Sequence, residues 1–138
     1  LINYDEMARE ALGADETAKR KPDELKRFRD LLQQLIEKSY KKKLDETVNY
    51  DITYLGESKV GSDFVVTTEA TNTVDQRAAP VSLKYKLRPS GKGVYTMVDL
   101  IAEESSMIST YRKEFAKIIK KDGWDGLIRK MEDKLAKV

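Results

Sequence analysis

The chain has 138 residues, enough for one domain with a modest hydrophobic core. Charged residues make up 36% of it, yet 26 Lys and Arg nearly balance 24 Asp and Glu; the formal net charge of +2 excludes a strongly basic, nucleic-acid-binding surface. Cysteine and histidine are both absent, which removes disulfides, thiolate and imidazole metal ligands, and the most frequent general base.

Residues 3–12 read as a short helix: Tyr4, Met7, Ala8, Ala11 and Leu12 fall at helical spacing, with Asn3 as N-cap and Gly13 as the stop. Residues 14–21 are polar and read as a linker. Pro22 opens a long helix at its tolerated first position, with Asp23 and Glu24 in the first turn. Its apolar stripe is Leu25, Phe28, Leu31, Leu32, Leu35, Ile36, Tyr40 and Leu44, and Lys41, Lys42 and Lys43 sit in the last turn. The period then changes to two. Val48, Tyr50, Ile52 and Tyr54 predict a first strand, with Gly56 and Gly61 bracketing a turn. Residues 64–71 predict a second strand, and 72–79 a polar connection. Val81, Leu83, Tyr85 and Leu87 alternate with Ser82, Lys84 and Lys86 in a third strand with one wet face. The segment 89–93 is a hairpin loop, and 94–102 a fourth strand. Two helices close the chain, at 105–121 and 125–137, separated at Gly123.

This order predicts a single α+β domain over 1–138: a four-stranded antiparallel sheet with helices packed on one face. Thr67, Glu69, Lys84 and Lys86 would form its polar outer face. No apolar run approaches the ~20 residues needed to cross a bilayer. The chain begins with Leu1, so a trimmed or processed start is expected.

Few residues suggest chemistry. Gly91-Lys92-Gly93 joins two strands and lacks the strand-to-helix context of a phosphate loop, so it reads as a hairpin turn. Gly123-Trp124-Asp125-Gly126 spells a GxxG, but Trp124 and the anionic Asp125 suit a phosphate backbone poorly; a turn between helices fits better. Asp99, Glu103 and Glu104 could act as paired carboxylates, yet no nucleophile or histidine accompanies them. Glu103 and Glu104 fit the start of a helix capped by Ser105 or Ser106, and Asp99 is expected to meet Arg112 or backbone donors. No metal, nucleotide or other cofactor is expected. The remaining feature is a surplus of large apolar side chains. Composition alone does not separate a filled core from a ligand cavity.

Several segments, taken together, resemble one family. Val98 to Phe115 begins as an apolar strand that carries Asp99, then has Glu103, Ser106, Met107, and the Tyr111-Arg112-x-x-Phe115 helix. Tyr4, Met7-Ala8-Arg9 and Leu12-Gly13, then Phe28 through Ser39-Tyr40, Val81/Tyr85/Leu87, and Gly123 with Leu127-Ile128 follow in the same order. The pattern resembles the MlaC-type (toluene-tolerance) periplasmic phospholipid-binding proteins. Glu104 stands where that pattern has Gly, Tyr95 where it has Trp, and an upstream helix is expected to be missing. The resemblance implies a non-catalytic periplasmic carrier whose apolar cavity, between sheet and helices, holds the two acyl tails of a phospholipid. It implies exchange with an inner-membrane ABC lipid transporter complex and an outer-membrane lipoprotein complex. The expected lining is Leu32, Leu35, Val66, Leu83, Tyr85, Met97, Ile101, Ile108, Tyr111 and Phe115. Carriage of another lipid such as a hopanoid, or an interaction scaffold with a filled core, are the alternatives; a small hydrolase would lack histidine and cysteine.

Overall fold

The computed structural model describes residues 2–46, 49–75, 77–91 and 93–137, with the side chains of 40–46 set aside. The expectations for Val48, for Lys92, and for the side chains of Tyr40, Lys41, Lys42, Lys43 and Leu44 lie outside the described residues. The chain is α+β, and it divides into two compact units: Leu1–Asn3 with Leu44–Met107, and Tyr4–Lys43 with Ile108–Val138.

The first unit is an antiparallel meander in the order β1-β2-β3-β4-β5. Its strands are β1 (Tyr50–Val60), β2 (Asp63–Asn72), β3 (Val81–Pro89), β4 (Tyr95–Ala102) and β5 (Ser105–Ser106). The sheet therefore has five strands, one more than expected. β5 is too short to leave a periodic signal; it pairs with Ile101 and Ala102 through a two-residue turn at Glu103 and Glu104. Both turn residues have positive φ, 49° and 69°, as a tight hairpin with the natural strand twist requires. The expectation that these glutamates open a helix is corrected: the helix starts at Met107.

β1 also runs further than expected. Gly56 lies inside the strand, beside an irregularity where Leu55 is the extra residue, and the turn to β2 is only Gly61-Ser62. A second bulge falls in β4: Leu87 pairs with Met97 and Lys86 with Asp99, so Val98 is the extra residue. Ahead of β4, Ile2 bridges Met97 in parallel, and the Asn3 N–H donates to the Met97 carbonyl at 2.9 Å.

The second unit is helical: α1 (Tyr4–Leu12), α2 (Ala14–Lys19), α3 (Pro22–Glu46) and α4 (Met107–Ala136). The linker expected at 14–21 is largely α2, a correction with a clear cause. It buries no residue and so shows no apolar stripe. Local polar contacts accompany the turn instead: the Thr17 hydroxyl donates to the Gly13 carbonyl at 2.8 Å, and Arg20 bonds Glu16 at 3.0 Å. At the start of α3 the Glu24 carboxylate accepts the Lys21 backbone N–H at 2.9 Å, half of a capping box.

α4 carries both expected closing helices, which meet at Gly123 with φ 75° and ψ −177°, a region open essentially to glycine alone. The reversal brings Asp122 close to Gly126, where an added Cβ would lie 2.4 Å from the Asp122 Cβ. The core of this unit includes Met7, Phe28, Leu31, Leu32 and Leu127, all at 2% exposure or less. Phe28 meets Phe115 edge-on at 5.4 Å between centroids and Trp124 at 5.8 Å. The Arg20 guanidinium lies over the Trp124 ring at 4.7 Å.

Candidate functional site

Register decides which expected lining residues share a surface. Val66 pairs with Tyr85, Thr68 with Leu83, Phe64 with Leu87 and Ala70 with Val81. Across β3, Tyr85 pairs with Leu100, Leu83 with Ala102 and Leu87 with Met97. One face of the sheet thus gathers Phe64, Val66, Val81, Leu83, Tyr85, Leu87, Met97 and Leu100. Tyr50, Ile52 and Tyr54 continue it onto β1 through their pairing with Asn72, Ala70 and Thr68. Thr68, the polar member of this row on β2, turns its hydroxyl to the Leu83 carbonyl at 2.8 Å.

Four of the five expected sheet residues, Val66, Leu83, Tyr85 and Met97, belong to this face. Ile101 does not: it pairs with Lys84 and Ser106, on the opposite face. The bulge at Val98 is the cause, because one extra residue inverts every side chain beyond it. Leu100 takes the place that simple alternation would give Ile101. Phe64 and Leu87, also on the apolar face, follow from alternation alone. Val66, Leu83, Tyr85, Leu87 and Met97 are all half-buried, while Ile52 and Tyr54 are exposed at 53% and 61%.

The opposite face is polar and internally paired. Thr67, Glu69, Lys84 and Lys86 share it, as expected. Asp63, only 6% exposed, receives Arg88 in a two-pronged contact at 2.9 and 3.0 Å, and Lys86 at 3.7 Å. Hydrogen bonds and charge from Arg88, aided by Lys86, hold the Asp63 carboxyl below its ordinary range despite burial. Lys84 meets Glu104 at 3.5 Å. Asp99, 7% exposed, accepts the Leu100 backbone N–H at 2.8 Å and a short hydrogen bond from the Ser106 hydroxyl. That is one of the two partner types expected for it. The carboxylate ties β4 to β5.

In the helical unit, Leu32, Leu35, Ile108 and Phe115 are buried and Tyr111 is half-buried. Tyr111 stacks on Phe115 at 5.3 Å, and its phenol is pushed above its ordinary range by burial and by nearby Glu114. Arg112 donates its Nε to the Glu10 carbonyl at 2.6 Å. Phe28 and Trp124, absent from the expected lining, anchor this aromatic cluster; no sequence period links α3 to the residue after a helix break. A cleft of about 470 Å³ opens among α1, α2 and α3, lined by Ala8, Leu12, Thr17, Leu25 and Phe28 with Asp5 and Arg29 at its charged side. It contains none of the expected lining residues. Among the described residues no group of three or more Asp and Glu is placed to hold a metal ion, and no helix is long and apolar enough to cross a membrane.

No curated protein matches. The structure is similar to that of the phospholipid-binding protein from Ralstonia solanacearum, solved in complex with a phospholipid: TM-score 0.84, 22% identity, covering 98% of this chain and 74% of that one. The MlaC protein family matches residues 1–133, nearly the whole chain, and this protein belongs to that family.

Proposed function

We propose that this protein is a periplasmic carrier that shields the acyl tails of a phospholipid and leaves the headgroup in water. The observation that carries this reading is the apolar sheet face, whose central side chains stay half-buried in a chain of the MlaC family. The phospholipid bound to the Ralstonia protein, which shares the fold, supports the choice of ligand. The tail-contacting set is Val66, Leu83, Tyr85 and Met97 on the apolar sheet face. Ile101, on the polar face, is left out.

Dimensions fit. The nine residues of β3 extend about 30 Å, while one leaflet of hydrocarbon is about 15 Å deep, half of a ~30 Å core. The energetics suit delivery. Each CH₂ withdrawn from water contributes about 0.8 kcal/mol, and almost nothing relative to a bilayer where it is already dry. Such a protein holds cargo in water and yields it at a membrane. Passage between an inner-membrane ABC transporter complex and an outer-membrane lipoprotein complex completes the role. Asp99 and Glu103 serve the β4–β5 turn and no turnover.

The test is transfer of labelled phospholipid between two vesicle populations. Leu83→Asp should abolish transfer, because a charge facing acyl chains is costly unless paired. Asp99→Asn and Glu103→Gln should retain it. Undiminished transfer by folded Leu83→Asp would refute the carrier reading.

A further inference from the structure

Lys113, Lys117, Lys120 and Lys121 recur at i, i+4, i+7 and i+8 on the first half of α4, all exposed, opposite the buried Ile108 and Phe115. Eight residues of helix separate the first from the last, about 12 Å at 1.5 Å per residue. Glu114 and Asp122, next to Lys113 and Lys121, are the nearest acids in sequence, and Asp122 pairs with Lys130 at 3.2 Å. Several other cations of the helical unit meet acids: Arg9 with Glu6, Arg29 with Asp5 and Asp30, Arg27 with Glu132, Lys130 with Asp122. Among the described residues, none of the four lysines has such a partner.

The arrangement works against the helix. Lys113 and Lys117, and Lys117 and Lys121, are like charges one turn apart, which destabilises an isolated helix. Lys120 and Lys121 also complement the negative helix end before Gly123, but Lys113 and Lys117 lie too far upstream for that effect, which fades within the last turn. No aromatic or arginine interrupts the stripe. Protein interfaces are depleted in lysine and anchored by aromatics and arginine. Strongly hydrated ammonium groups on flexible stems suit a fluid layer of phosphates instead.

We propose that this lysine stripe docks the protein onto a bilayer surface rich in anionic phospholipid headgroups. The docking is peripheral and electrostatic, and it does not depend on the acyl-tail site.

The test is flotation of the full chain with vesicles of phosphatidylcholine alone or mixed with phosphatidylglycerol. The parent should bind only the mixed vesicles, and should detach as salt shortens the Debye length to about 3 Å near 1 M. Lys113→Gln with Lys117→Gln should weaken binding about 25-fold, at roughly fivefold per lysine, with circular dichroism unchanged. Lys134→Gln with Lys137→Gln removes the same charge elsewhere and should leave binding intact. Equal weakening by both pairs would reduce the effect to net charge and overturn the proposal. So would failure of the parent to prefer mixed vesicles, the outcome expected if the stripe instead meets an acidic protein.

Discussion

The helical unit and the sheet use the same kinds of apolar side chain to different ends. Around Phe28 the helices have closed a core: Met7, Leu31, Leu32 and Leu127 have essentially no contact with water. On the sheet, Leu83, Tyr85, Leu87 and Met97 form an equally apolar row, yet all remain half-buried. Among the described sheet residues, Val98, the bulged residue, is fully buried, and Leu100 on the apolar face is 9% exposed. Apolar content marks surface that avoids water, but it does not say whether that surface is filled by the protein or kept for a ligand.

Truncations sharpen this contrast. Phe28→Ala should cost about 3–5 kcal/mol and Leu31→Ala about 2–5 kcal/mol, as at other closed cores. Leu83→Ala should cost clearly less than Leu31→Ala, since less of the side chain leaves water on folding. Urea unfolding of the three variants checks this, and equal losses for Leu31→Ala and Leu83→Ala would erase the distinction. Gly123→Ala comes next, at about 1–3 kcal/mol, because alanine cannot adopt the φ 75°, ψ −177° backbone without strain. Its thermal midpoint should fall with the native fold retained.

The polar sheet face gives a pH-dependent prediction. Arg88 and Lys86 hold the Asp63 carboxyl below its ordinary value, so the group binds its proton less readily folded than unfolded. Its contribution is therefore present above the unfolded value of about 4 and is lost as pH falls through the lower folded value. Asp63→Asn should be less stable than the parent at neutral pH, and the gap should close in acid. A gap that widens in acid would contradict the assignment. The smallest effect is a gain: Glu104 has φ 69° where the family pattern has glycine, and Glu104→Gly should stabilise by about 0.5–1 kcal/mol. Thermal unfolding checks this, against the small loss of the exposed Lys84 ion pair.

What the sequence revealed follows the same physics. Alternation from Val81 to Leu87 was legible because apolar side chains share one face and Ser82, Lys84 and Lys86 the other. The stripe of α3 was legible for the same reason. α2 was hidden because it has no buried face, and β5 because two residues carry no period. Gly56 reads as a turn although it lies within β1 beside a bulge. The tail-contacting candidates were legible up to the bulge at Val98. Beyond it Leu100 and Ile101 exchange faces, and no alternation rule locates an extra residue. The partnership of Phe28 with Trp124 joins segments far apart in sequence and needed coordinates.

The carrier reading rests on the open apolar face being a place for acyl chains. Native mass spectrometry of the protein, purified without detergent, tests this directly. The account predicts a mass increment of one phospholipid, lost in Leu83→Asp while the fold persists. A parent protein that travels at its bare mass after expression in a cell compartment containing phospholipid, and takes up none from vesicles, would contradict it.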